Sequence, residues 1–167
     1  VYGGDDPRFK SMSMSQYWRV LQAQSPYAFC VFNGQFFYMP EYPTRLAFPL
    51  KVDGQILSDG WAINQYPDQK LILELWDDKA EISELTQESL YGSQADNLIA
   101  GLTEDANKRA KFSVGRTFLG IADRDGNGDN ETIFVLNTLN GTQAHAATEL
   151  KEFGATQVMM LDGGGSA

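Results

Sequence analysis

The sequence predicts an α+β domain, with helices packed on a mixed or antiparallel sheet. Three observations predict it. Apolar runs of strand length recur along the chain, among them "KLILELW", "ETIFVLNTL" and "TQVMML". Turn residues such as Asp53-Gly54 separate the runs. Helical spacing is clearest in two stretches, one near the start and one near the end. At 167 residues the chain reads as one domain over 1–167, large enough to bury a core without disulfide or metal staples.

The elements follow in order. "VYGGDDPRF" is an irregular lead-in. "SMSMSQYWRVLQAQ" is a helix with a serine cap and apolar residues at Met14, Tyr17, Trp18 and Leu21. "YAFCVFN" reads as a buried strand, followed by a glycine turn and "FFY". Two prolines make "MPEYPTR" a loop. "AFPLKVDGQILSDG" is a strand, a turn at Asp53-Gly54 and a return strand. "KLILELW" is a strand and "DDK" a turn; "QADNLIAGL" is another strand, and "TEDANKRAK" a polar loop or short helix. "FSVGRTFLGIAD" and "ETIFVLNTL" are strong strands around the loop "RDGNGDN". A helix runs from about Thr142 to Phe153, with Thr142 as its cap and Gly154 as its stop. "TQVMML" is the last strand. The helix between strands 132–138 and 156–161 is placed to form one crossover unit.

Composition excludes several function classes. Hydrophobic residues make up 43% and aromatic residues 12%, which is the balance of a globular chain. No apolar stretch approaches the roughly 18 residues of a membrane span. The net charge is -9, and lysine and arginine are not clustered, so nucleic acid and anionic lipid are not expected partners. A small phosphate-bearing substrate stays open, because a local site on an acidic protein can be positive. The single cysteine, Cys30, lies in an apolar run and reads as a buried structural thiol. The chain starts at Val1 without a methionine or a signal-like stretch, so it reads as a processed product, compatible with a removed secretory signal.

Five features carry candidate chemistry. After the last strand comes Asp162, then Gly163, Gly164, Gly165 and Ser166. Consecutive glycines let backbone N–H groups converge on an anion, and Ser166 adds a hydroxyl. A carboxylate beside such a nest makes Asp162 a candidate acid, base or nucleophile at a sugar carbon; a plain turn is the other reading. Asn33, in "VFNGQFF", is either an amide for a substrate oxygen or half of an Asn-Gly hairpin turn. Arg116 interrupts an apolar strand and is either a bidentate anion ligand or an edge-strand arginine facing solvent. His145 is the only histidine and precedes the glycine-rich loop on its helix; it is a candidate catalytic group or a surface histidine. Asp123, Asp125, Asn127, Gly128 and Asp129 match the first half of an EF-hand loop, but the twelfth position is Phe134 and the flanks are strands. The choices there are a simpler calcium-binding hairpin, with Asp123, Asp125, Asn127 and Asp129 as ligands, or a solvated acidic tip.

The order "FNGQFF", "KVDGQILSDG", "VGRTFLGI" and "GTQAHAATELKEFGATQVMMLDGGGSA" resembles the phosphodiester glycosidase family, that of the lysosomal uncovering enzyme and its bacterial exopolysaccharide-related relatives. The resemblance runs from about residue 28 to the end, and the last 27 residues are its specific part. It implies hydrolysis of the glycosyl–phosphate bond of a sugar 1-phosphodiester, of N-acetylglucosamine type or from a cell-envelope glycan. The family asparagine falls on Asn33, its arginine on Arg116, its aspartate and glycine turn on Asp162 to Ser166, and its helix-opening threonine on Thr142. The family reading makes Asp162, Asn33, Arg116 and His145 the catalytic set. Gly163, Gly164, Gly165, Ser166 and Thr142 would bind substrate or phosphate. No cofactor is required, calcium at 123–129 being the one cation the sequence offers. The resemblance also implies a secreted, periplasmic or cell-envelope location in bacteria.

Many relatives carry an acidic residue where this chain has His145, and the loop "DRDGNGDN" is longer than the usual turn. Family chains continue past the glycine motif with at least one further strand, so the chain is expected to be truncated at its C-terminus. A non-catalytic glycan or sugar-phosphate binder and a calcium-stabilised structural module are the alternatives on the same fold.

Overall fold

The computed structural model describes residues 7–164. Helix α1 (Met14–Gln24) comes first, then strands β1 (Leu50–Val52), β2 (Gln55–Ser58), β3 (Lys70–Leu75) and β4 (Ala80–Glu84). A short helix α2 (Gln87–Gly92) leads to β5 (Asn97–Leu102), β6 (Val114–Ala122) and β7 (Thr132–Gly141). Helix α3 (Gln143–Glu152) and strand β8 (Gln157–Met160) complete the order. The fold is α+β, with helices against an eight-stranded sheet in which every named strand pair is antiparallel.

Strand order is β2-β1-β5-β8-β6-β7, with β3 along β5 and β4 outside β3. Strand β8 enters last in the sequence and sits in the middle of the sheet. It pairs with β6 from Phe118↔Met160 to Ile121↔Gln157, and touches β5 at Leu102↔Met160. Both β7 and β8 run antiparallel to β6, so they are parallel to each other and α3 crosses over β6 to join them. This is the crossover the sequence predicts.

Local chemistry explains the elements that match expectation. In the β1–β2 hairpin, Asp53 and Gly54 both have positive φ, 47° and 76°, as a two-residue turn of matching twist requires. Thr142 caps α3 by accepting the His145 N–H. The helix buries Gln143, Ala146, Ala147 and Leu150, one face at helical spacing. It stops at Gly154, φ 104°, where Gly154 N–H bonds the Lys151 carbonyl and Ala155 N–H the Leu150 carbonyl.

Strand alternation divides the core. Phe118, Val158 and Met160 face α3, together with Ile72, Leu98, Ala100 and Leu102. Leu119, Ile121, Met159 and Leu161 point to the opposite face with Leu73 and Ala80. Glycine lets the central strands approach. A Cβ on Gly101 would stand 2.4 Å from the Met160 carbonyl oxygen and 2.6 Å from the Met159 methyl.

Segment 27–33 departs from expectation. It forms no ladder, and Tyr27 and Phe29 are 91% and 90% exposed. An apolar run becomes a strand only with a partner edge. The edges of β5 are taken by β3 on one side and by β1 and β8 on the other. Cys30, expected to be buried, is exposed, while Val31, Phe32 and Asn33 after it are half-buried. Helix α1 has its Ser13 capping box but no buried residue; Trp18 and Leu21 are half-buried.

Gly101→Ala should destabilise the fold by about 1–3 kcal/mol, because the added methyl collides with backbone rather than with a flexible side-chain tip. Gly92→Ala, where a Cβ meets nothing within 4 Å, should leave the denaturation midpoint unchanged or slightly raised. Urea unfolding of the two variants beside wild type tests the pair.

Candidate functional site

The β6–β8 register continues past the end of β8. Leu161 N–H donates to the Thr117 carbonyl at 2.9 Å, so the same register sets Asp162 opposite Arg116 and Gly163 opposite Gly115. A Cβ on Gly163 would lie 2.6 Å from the Gly115 carbonyl oxygen, so glycine is required there by contact. Gly164 has φ 74°, a conformation that favours glycine. Gly165 and Ser166 lie outside the described residues.

These residues floor a cleft of about 670 Å³. One wall is Phe36, Phe37, Met39, Ala47 and Phe48; a second is Trp61, Ala62, Gln65 and Tyr66; Lys108, Arg109 and Val114 form a third. Arg116 and residues 160–164 complete it. This volume and apolar lining are those of a small-molecule site.

Asn33 reaches the site from 129 residues away in sequence. Its Nδ2 donates to Asp162 Oδ2 at 2.8 Å. Asn33 and Gly34 lie in neither a turn nor a strand, and Gly34 lies against Ile99 and Leu161. Buried Gln35 fixes the segment, donating to the Pro49 and Ala100 carbonyls and accepting the Phe36 N–H.

Arg116 is neither on an edge strand nor exposed. It lies between β7 and β8 and is 4% accessible. Its Nε donates to the Gly141 carbonyl at 3.3 Å, and Nη1 to the Lys108 carbonyl at 3.2 Å. Nη2 donates to the Arg109 and Phe112 carbonyls at 2.7 and 3.1 Å. Nη1 also meets Met160 Sδ at 3.8 Å. A guanidinium has five N–H donors, and five protein acceptors surround this one. Burial lowers its pKa. The group braces the 108–112 loop from beneath the cleft.

Lys108, on that loop, was not among the residues the sequence singled out. Its ammonium sits 4.3 Å from the Phe36 ring centroid and 5.6 Å from that of Tyr66. Burial pulls its pKa down, the Asp162 carboxylate pulls it back up, and Arg109 lowers it further. The only sequence signal was a lysine in the polar stretch "TEDANKRAK", one charge among several. The opposite wall is braced by Lys70, whose Nζ donates to the Gln65 and Tyr66 carbonyls, both at 2.7 Å.

Two other expected residues do not line the cleft. His145 is exposed on α3, with Nε2 3.6 Å from Glu149 Oε1. Thr142 uses its hydroxyl to cap that helix.

On the acidic hairpin Glu131, which the spacing did not single out, joins Asp123 and Asp125, their carboxylate oxygens all within 4.8 Å of one another. Asn127 stays beside Asp125, its Nδ2 donating to Asp125 Oδ2 at 3.2 Å. Asp123 accepts the Gly126 and Gly128 N–H groups at 2.7 and 2.8 Å. The Gly128 bond leads in holding this carboxyl below its ordinary range. Asp125 accepts the Asn127 N–H, and Asn127 in turn accepts that of Asp129. Asp129 leans toward Lys79 at 3.7 Å.

No family model matches the chain, and no curated protein matches it.

Arg116→Lys should lower stability by about 2–4 kcal/mol, because one ammonium cannot serve carbonyls spread over Gly141, Lys108, Arg109 and Phe112. Thermal unfolding reads the loss. Hydrogen exchange should show it concentrated in residues 106–113.

Proposed function

We propose that the chain is a phosphodiester glycosidase, a hydrolase that cleaves the glycosyl–phosphate bond of a sugar 1-phosphodiester. The observation that carries this reading is the Asp162 carboxylate, held by Asn33 at 2.8 Å in an aromatic-walled cleft. Glycosyl transfer builds positive charge at the anomeric carbon, and a fixed carboxylate stabilises it, attacks it or deprotonates the incoming water. Ordinary glycosidases add a second carboxyl group to protonate a poor alkoxide leaving group. Here the leaving group is a phosphomonoester, whose second pKa is about 6, so it departs as a dianion without that proton. A single carboxylate is then sufficient. Asp162 is the one acidic side chain among the described residues lining the cleft.

The C1–O bond breaks, and its electron pair stays on the phosphate oxygen. Water supplies the new C1 hydroxyl, and its remaining proton passes to the phosphate or to solvent. Asn33, hydrogen-bonded to one carboxylate oxygen, orients the group toward C1. The half-buried Trp61 and Tyr66 offer apolar surface for the sugar ring. Substrates of N-acetylglucosamine or cell-envelope glycan type suit the reading, with a secreted or envelope location to match.

A second reading, a sugar-phosphate binder without turnover, is favoured by one observation. The arginine expected to hold the phosphate spends its donors on protein carbonyls. Saturable binding without sugar release would mark the binder.

Wild type should release reducing sugar from a panel of N-acetylglucosamine and glucose 1-phosphodiesters. Asp162→Ala should lower kcat/KM on the order of 10³-fold. Asn33→Ala should cost roughly 10–100-fold, the worth of one hydrogen bond to a charged group. A folded Asp162→Ala protein that turns over at the wild-type rate sinks the proposal.

A further inference from the structure

Resting on the glycosidase reading, we infer that Lys108 is the group that contacts the substrate phosphate, and that Arg116 acts beneath it by holding the loop that presents it. The cations around the site divide by how their donors are used. Arg116 and Lys70 bond the carbonyls of the cleft's own walls. The half-buried Lys108 ammonium has no hydrogen-bond acceptor among the described residues, yet it stands inside the cleft against two aromatic rings. A partly desolvated cation with no acceptor among the described residues is a strong anion ligand, because burial has cost its N–H groups part of their hydration without a described protein acceptor in exchange. Its field reaches Asp162, so the anion it binds lies beside the carboxylate that works at C1. Arg109, on the same loop and also lining the cleft, adds a second positive charge.

The titration has a definite sign. Lys108 faces the Asp162 carboxylate, the neighbouring Arg109 and the Tyr66 ring, and its own carbonyl accepts from Arg116. Burial depresses its pKa below the ordinary lysine value of about 10.4. Phosphate affinity is therefore present while Lys108 is protonated, and falls as pH rises through that lowered value. An arginine at 108 stays charged and removes the fall.

The test is calorimetric titration of the protein with inorganic phosphate at constant ionic strength, across pH 7 to 10.5, for wild type, Lys108→Ala and Lys108→Arg. Circular dichroism checks that each is folded. Lys108→Ala should bind phosphate about tenfold or more weakly than wild type. Lys108→Arg should bind within a few-fold of wild type at neutral pH and keep its affinity at alkaline pH, where wild type loses it. Equal affinity in Lys108→Ala overturns the inference, as does a wild type that takes up no phosphate. Turnover separates the two proposals. Phosphate binding through Lys108 without sugar release would discard the glycosidase and keep the anion site. Sugar release at an unchanged rate by Lys108→Ala would keep the glycosidase and discard the anion site.

Discussion

The cleft depends on one buried guanidinium. Irregular backbone leaves carbonyls without ladder partners, and a buried carbonyl must find a donor. Loop 108–112 and the end of β7 converge on Arg116, which supplies donors to four carbonyls from the middle of the sheet. The solution recurs. Lys70 serves Gln65 and Tyr66, and buried Gln143 serves Glu104 and Ala106 at 2.7 and 2.6 Å. Gln35 serves Pro49 and Ala100. Long polar side chains rooted in or beside regular elements thus hold the loops that make the cleft walls. The cost is a buried cation, which carbonyl dipoles compensate but which no carboxylate among the described residues pairs in a salt bridge.

That arrangement also shapes the electrostatics. The chain carries a net charge of -9, yet the described residues lining the cleft include Lys108, Arg109 and Arg116 against Asp162 alone. The acidic excess lies elsewhere, part of it on the 123–131 hairpin, where Asp123 and Asp125 bond backbone N–H groups of their own loop. A positive cleft on a negative protein favours a small anion and disfavours a polyanion, which would meet the surrounding surface as well.

Much of the fold was legible because periodicity and punctuation agreed. The β1–β2 hairpin was marked by Asp53-Gly54, and α3 by Thr142, Gly154 and its buried face. Strands β3, β5, β6, β7 and β8 were readable as apolar runs. Hairpin partner β4, "AEISE", was hidden by its charges, since only one face of it needs to be apolar. Segment 27–33 misled for the opposite reason. Its apolar run satisfies the strand pattern, but the pattern carries no information about which sheet edges are free. Within the site, Asp162 and Asn33 were visible as a carboxylate and an amide at strand-like ends. Arg116 was visible as a residue but not in its use, because nothing in "SVGRTF" shows that the Gly141 carbonyl and three carbonyls of loop 108–112 wait beside it. Lys108 was invisible, since its environment is made by Phe36 and Tyr66 from distant parts of the chain.

The position of Asp162 follows from the same topology. Strand β8 is only four residues long and is inserted between strands that come earlier in sequence. Glycine at 101 and 120 lets it seat closely. A Cβ at Gly120 would meet Ala155 at 2.7 Å, just as one at Gly101 would meet the Met160 carbonyl. Once Met160 is fixed between Leu102 and Phe118, the next two residues have little freedom. Leu161 is tied to Thr117, and Gly163 is pressed on Gly115. Asp162 lies between these two restraints, on the face that carries α3 and the cleft, with Asn33 bonded to its carboxylate. A side chain restrained on both sides by backbone and at its tip by an amide loses little entropy when a ligand arrives. The carboxylate is therefore preorganised by sheet closure itself, and the loops around it are left to set what it meets.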